Sequence, residues 1–122
     1  MSECAKVAAI LASDVELAGL LGSSPRVLQG SLAAQPLYSP PLVLVSAQEG
    51  IPLLENEDGV VAEQCSCTIC ILAEGGLEDL EARTKQVMET SGYRCEMVRR
   101  LPAERPEWAA SEMHFSGSRL RV

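Results

Sequence analysis

The chain has 122 residues, a formal net charge of −7 at pH 7 and an apolar fraction of 47%. This length predicts a single domain with one core, and the negative charge argues against a free-standing protein that binds nucleic-acid phosphates. Only 3% of the residues are aromatic, so the stacking platforms of single-strand-binding proteins are not available in number.

The N-terminal stretch predicts a helix that Ser2 caps and whose apolar stripe Asp14 interrupts. Residues Ser13–Glu16 (SDVE) fit a capping box, which indicates a break and a second helical segment that ends at Gly22. The sequence leaves open whether this is one bent helix or two. A first helix is a better interpretation than a signal peptide, because the apolar run is short and acidic residues follow it at once.

Two strands and a loop are predicted next. Arg26–Gln29 is a candidate short edge strand, and Leu42–Ser46 (LVLVS), which follows two prolines, is a candidate central strand. Glu49–Gly59 (EGIPLLENEDG) is the longest polar connection, and we expect it to be a loop between two strands that pair as a hairpin. Long loops on small domains often contact partners. The residues expected at this interface are Leu53, Leu54, Glu55, Asn56, Glu57 and Asp58.

The clearest pattern is a strand followed by an amphipathic helix, from Val60 to Gly92. Alternation with a period of two predicts that one strand face carries Val61, Cys65, Cys67, Ile69 and Ile71. The apolar stripe of the helix consists of Leu77, Leu80, Thr84, Val87 and Met88. We expect Glu81 and Lys85 to pair at i, i+4, and Gly92 to follow the last turn as the C′ residue.

Two further strands are predicted at Tyr93–Leu101 and Ser111–Val122, with a bulge or kink allowed at Gly117. The order of elements predicts one α+β domain over residues 1–122. Its mainly antiparallel sheet has about four strands, and two or three helices pack on one face. Arginines are concentrated in the last quarter, where they contact acidic patches of a neighbouring subunit or lie on a solvated strand edge: Arg99, Arg100, Arg105, Arg119 and Arg121.

No residue pattern predicts catalysis, a metal site or a cofactor site. The five cysteines have irregular spacing, which favours free thiols over a disulfide framework. Within the strand segment Cys65–Cys70 (CSCTIC), Cys70 points away from Cys65 and Cys67, so these thiols are better interpreted as core residues than as converging zinc ligands. His114 is the only histidine, and we expect it on the surface or at an interface. The carboxylates near Glu55–Asp58 lack the spacing of a calcium loop.

Several of these stretches together resemble the tail terminator and tail-completion proteins of long-tailed bacteriophages, which join head and tail. The resemblance covers nearly the whole chain and is a pattern of elements rather than a signature motif. It rests on the segments LAGLLGSSPRV, YSPPLVLVS, CSCTICILAE, GGLEDLEARTKQVMETSG and EMHFSGSRLRV.

The resemblance implies a structural virion protein without catalysis or cofactors, assembled in the cytoplasm of a bacterial host. Such proteins form a homo-oligomeric ring, typically a hexamer, at the head-proximal end of the tail. The implied partners are other copies of the chain, the tail tube protein and a head-completion or connector protein. DNA passes through the lumen without sequence-specific binding, and no membrane is involved. Two alternatives are a small cytosolic ligand-binding or regulatory domain and a thiol- or metal-dependent enzyme built on Cys65–Cys70.

Overall fold

The computed structural model describes residues 3–22, 27–30, 40–56, 59–103 and 105–120. Three helices and five strands occur there in the predicted order, which confirms the α+β class with one strand more than the four expected. The elements are α1 (Glu3–Ala12), α2 (Val15–Leu21), β1 (Val27–Gln29), β2 (Leu42–Asn56), β3 (Gly59–Ala73), α3 (Leu77–Thr90), β4 (Arg94–Leu101) and β5 (Ala109–Leu120).

The five strands form one sheet in the order β1-β2-β3-β5-β4. Strand β1 pairs parallel with β2, and the other three pairings are antiparallel, as the mainly antiparallel prediction requires. The central position belongs to β3, whereas β1 and β4 are the outer strands. The predicted short edge strand is therefore confirmed as β1.

The core lies between one face of the sheet and the three helices. Buried residues from α1, α2 and α3 pack in one cluster with alternate residues of β2, β3 and β5, among them Ile69 and Phe115. All five residues of the predicted α3 stripe are buried. Each fully buried aliphatic side chain of this kind stabilises the fold by about 1.5–3 kcal/mol. The opposite face carries a smaller cluster of Leu42, Leu44, Leu72 and Ala110.

The N-terminal segment consists of two helices. Asp14 lies between them in extended conformation and caps α2, since its carboxylate accepts the Leu17 N–H at 2.9 Å. The capping-box prediction is thus one residue off, because the Ser13 hydroxyl donates back to the Ala9 carbonyl at 2.7 Å. The carboxylate of Asp14 caps better because it also reaches a guanidinium on α3.

Gly92 ends α3 as predicted, with φ of 95°. The Tyr93 N–H donates to the Met88 carbonyl at 3.0 Å, and the Gly92 N–H donates to the Glu89 carbonyl at 3.1 Å. These two bonds form a Schellman motif, which requires the left-handed conformation that glycine adopts without strain. The motif turns the chain directly into β4.

The predicted Glu81–Lys85 pair is wrong. Glu81 instead accepts a hydrogen bond from the Ser111 hydroxyl at 2.5 Å and forms an ion pair with Arg100 at 2.9 Å. Lys85 pairs with Glu89, at 3.8 Å. Helix α3 packs across β4 and β5, so Glu81 finds partners on the sheet rather than on its own helix.

The bulge allowed at Gly117 is absent, because β3 and β5 pair without a register shift along their whole contact. The irregularity lies in β4 instead, between Cys95 and Met97. A Cβ atom at Gly117 would lie 3.2 Å from the Gly92 carbonyl oxygen and 3.2 Å from Cδ1 of Tyr93. Glycine therefore permits a close approach at this position rather than a kink.

Candidate interaction surface

The predicted loop at Glu49–Gly59 is a strand for most of its length. Strand β2 continues to Asn56, which pairs with Gly59 at the start of β3. Four residues of the predicted interface, Leu53 to Asn56, therefore lie in β2, and Glu57 and Asp58 lie outside the described residues. Their contact with a partner stays a prediction.

The turn-forming residues of this segment predict a loop, but in the structure they only shift the register of the pairing between β2 and β3 and do not end the strand. The register moves between Gln48 and Ile51 and again between Pro52 and Leu54. Proline is tolerated in an edge strand because it needs no hydrogen bond on the open side. Among the described residues, strand β2 is such an edge beyond Val45, since β1 pairs there only with Val43–Val45.

Within the described residues, strand β5 accompanies β3 as far as Ala62, which pairs with Leu120. Only the tip of the hairpin, where Glu55 pairs with Val60 and Asn56 with Gly59, is two-stranded there. Between Ser46 and Asn56, β2 has β3 on one side and no strand partner on the other among the described ranges. An open edge of this kind is a template for pairing with another chain.

The second open edge is β4, at the other end of the sheet. Its centre exposes two consecutive apolar side chains, Met97 at 44% and Val98 at 46%. The exposure of this pair is not among the features predicted from the sequence. The sequence does contain a signal for this exposure. Two consecutive strand residues point to opposite faces, so an apolar pair between charged residues on an edge strand tends to expose at least one member.

Charge on β4 is dominated by three arginines, each with a carboxylate partner. Arg94 pairs with Glu96 at 3.0 Å, and Arg99 pairs with Glu112 at 3.1 Å. Hydrogen bonds from Ser116 and then Arg94 lower the pKa of Glu96. Arg100 reaches Glu81 on α3. The arginines stay exposed in spite of these pairs, so their positive charge reaches solvent.

His114 lies on the sheet face opposite the helices, at the surface as expected, with its side chain 36% exposed. Its Nδ1 atom lies 3.4 Å from the Thr68 hydroxyl, and its Nε2 atom shares a hydrogen bond with Glu112. The hydrogen bond with His114, followed by that from Arg99, lowers the pKa of Glu112. This network fixes β4 to β5 and β3, and it includes no serine or cysteine nucleophile.

The cysteines occupy the positions predicted for core residues. Cys65 and Cys67 are buried, Cys70 is on the other face, and none of the five cysteines forms a disulfide. Burial, with smaller effects from Glu3 and Cys4, raises the pKa of the Cys67 thiol to about 12. Within the described ranges, no cluster of three or more His, Cys, Asp or Glu residues is arranged to hold a metal ion.

An open groove of about 410 Å³ lies at the end of the sheet near the start of β4, and its lining includes Arg94, Gln64 and the backbone around Gly117. The described lining residues are polar or glycine, whereas small-molecule pockets are mostly apolar with a few polar groups. The groove therefore gives little support to a ligand-binding role. No helix in the described part of the chain is long and apolar enough to cross a membrane.

No protein-family model matches the chain, and no curated protein matches it in sequence. Among solved structures, the fold is similar to that of a chain in a structure described as the virion of a native gene transfer agent (GTA) particle. The TM-score is 0.59 and the sequence identity is 15%, over 99% of this chain and 100% of that chain. The likeness therefore extends over both chains from end to end, and at this identity it concerns the fold.

Proposed function

We propose that this chain is a structural protein of a phage-like particle, which forms a ring at the head-proximal end of the tail tube and ends tube polymerisation. The observation that carries the proposal is the likeness in fold, over the whole length of both chains, to a chain of a virion particle. The order of elements, which resembles that of tail terminators, supports the finer assignment to the end of the tail.

In this role the partners are other copies of the chain, the tail tube protein and a head-completion or connector protein. A ring needs subunit contacts, and the two open sheet edges offer them. The lumen of such a ring must let DNA pass. A net charge of −7 supports this, because a negative surface repels phosphate instead of retaining it.

We further propose that the role involves no catalysis. The thiols that would serve an enzyme at Cys65 and Cys67 are buried in the core, and the thiolate that reacts is disfavoured at Cys67. His114 is engaged by Glu112 on the sheet surface. These residues have structural partners that account for their positions.

Size-exclusion chromatography with light scattering, followed by negative-stain imaging, tests this proposal. We expect rings with a central hole, either from the purified chain at high concentration or at one end of purified tail tubes to which the chain is added. Tubes capped in this way should stop growing when more tube protein is supplied. A chain that stays monomeric at high concentration and neither binds tube ends nor limits tube length would contradict the proposal.

A further inference from the structure

The two open edges of the sheet are complementary to each other. One is β4, and the other is the outer part of β2 from Ser46 to Asn56, beyond the three residues that pair with β1. We propose that they pair between neighbouring copies, with β4 of one copy against the outer part of β2 of the next. The proposal rests on the proposed ring and specifies its subunit contact.

Strand direction favours this pairing. Strands β2 and β5 run the same way, because both are antiparallel to β3, and β4 runs opposite to both. When the sheets of two copies continue in the same orientation, β4 meets β2 of the next copy in the antiparallel sense. The contact then forms a ladder with perpendicular hydrogen bonds, except at Pro52, which has no N–H to donate. Strand β4, with 8 residues, is short enough to fit along Ser46–Asn56.

The offset between the edges agrees with a closed ring. Through their common neighbours in β5 and β3, Val98 is level with Val45, whereas Ile51 is the centre of the open part of β2. This offset of roughly six residues amounts to about 20 Å, and the four strands that would repeat around the ring, β2, β3, β5 and β4, span about 19 Å across the sheet. The two lengths correspond to a strand tilt of about 45°, at the upper end of the range of about 35–45° at which sheets close into barrels.

Charge complements the geometry. The sequence from residue 48 to residue 63 contains five carboxylates and no lysine or arginine, and three of the carboxylates belong to the described strands β2 and β3: Glu49, Glu55 and Glu63. Strand β4 carries three arginines and one glutamate. Opposite charges on two facing surfaces favour the correct encounter and disfavour wrong partners. Pairing would also cover Met97 and Val98, which are about half exposed in the single chain.

The main competing arrangement is a twofold pair in which β4 of one copy lies against β4 of another. When the two strands align over their full length, Met97 of one copy lies opposite Val98 of the other and Arg99 lies opposite Glu96, so charge does not exclude this pair. It would, however, give closed dimers and leave the outer part of β2 unpaired. The head-to-tail contact uses both edges and generates a ring when its rotation closes.

A charge placed on β4 tests the contact. Val98→Glu puts a carboxylate beside the acidic hairpin, so we expect the concentration needed for assembly to rise at least tenfold. Val98→Lys should assemble better than Val98→Glu, because its charge has the favourable sign. The matched control is Val15→Glu on α2, where the valine is 84% exposed and assembly should equal that of the unchanged chain. Light scattering over a concentration series gives the result, and Met97→Glu serves if Val98→Glu does not fold.

Hydrogen exchange locates the contact on the backbone. In the assembled chain, compared with unassembled Val98→Glu, we expect slower exchange at residues 94–101 and 48–56 and little change in the helices. Any one of four results would overturn the edge contact. Val98→Glu assembles at the normal concentration, or Val15→Glu loses assembly to the same extent. Alternatively, the chain forms closed dimers, or the protection from exchange is confined to other elements. Rings without protection at the edges would refute this contact alone, whereas failure of the unchanged chain to form rings or cap tubes would refute the proposed function.

Discussion

The guanidinium of Arg83 on α3 holds the carboxylate of Asp14 at the start of α2. Nε of Arg83 donates to Oδ2 at 2.8 Å, and one terminal nitrogen donates to Oδ1 at 2.6 Å. The same carboxylate accepts the Leu17 N–H at 2.9 Å. One side chain therefore starts a helix and fastens it to another helix 69 residues later in the chain.

Replacing Asp14 should separate the two roles. Asp14→Ala removes the cap and the ion pair, and loss of the cap alone costs about 0.5–2 kcal/mol. Asp14→Ser keeps a capping oxygen without the charge, so it should lose less. Urea unfolding measures both free energies. Equal stability of Asp14→Ala and the unchanged chain would mean that the carboxylate neither caps nor fastens α2.

The same carboxylate should make stability depend on pH. Hydrogen bonds from Arg83 lower the pKa of Asp14 below its ordinary value of 3.8. Because the folded pKa is the lower one, the stabilising contribution is complete above the unfolded value and is lost as the pH falls through the folded value. We therefore expect the unfolding free-energy difference between the unchanged chain and Asp14→Asn to be constant above about pH 5 and to shrink as the pH falls from about 5 to about 2.

Taking the difference between the two proteins controls for the titration of other carboxylates. Glu96 and Glu112 also have lowered pKa values, but they are present in both proteins and cancel in the difference. A difference that stays constant over this interval would show that the charge of Asp14 is not what stabilises α2.

Two glycines should respond oppositely to alanine. At Gly117 a Cβ would press on the Gly92 carbonyl and on Tyr93, and overpacking of this kind costs about 1–3 kcal/mol. At Gly19, inside α2, a Cβ meets no atom within 4 Å, so Gly19→Ala should stabilise by about 0.5–1 kcal/mol. Thermal unfolding of the two variants gives the comparison. A stable Gly117→Ala would show that the Gly92–Tyr93 turn moves aside at little cost.

The buried thiols should be inert in the folded chain. Cys67 is 3% exposed, and its pKa of about 12 leaves almost no thiolate near neutral pH. Under native conditions a thiol reagent should label Cys95, which is partly exposed, well before Cys67. Peptide mass spectrometry resolves the two sites, and labelling in urea provides the fully reactive reference. Rapid native labelling of Cys67 would contradict its place in the core.

The local parts of the fold are those that the sequence predicts well. The alternation around Ile69 and the stripe from Leu77 to Met88 have strong periods, and each is buried as expected. Gly92 ends its helix because its conformational requirement is local. Such features depend on neighbours within a few residues, and these are visible in the sequence.

The predictions that fail depend on distant contacts. Glu81 has a suitable partner at Lys85, but Arg100 and Ser111 reach it across the sheet. Gly50 and Pro52 are typical of a loop, yet β3 pairs with Pro52, and the register shift that contains Gly50 does not end strand β2. The edge formed by β4 is hidden from the sequence for the same reason, because only the sheet order shows that β4 is the outermost of the described strands on its side.

The hydroxyl of Tyr93 donates to the carboxylate of Glu3, 90 residues earlier in the chain, and the Cys4 thiol donates to the carbonyl of Val45. Helix α1 thus has partners in the middle and late parts of the chain, and Asp14 at the start of α2 binds Arg83. During synthesis α1 lacks its contact with Tyr93, and α2 lacks its ion pair with Arg83, until those residues have been made. Contacts of such long range make folding slower than in helical bundles, so these two helices are expected to complete their packing late.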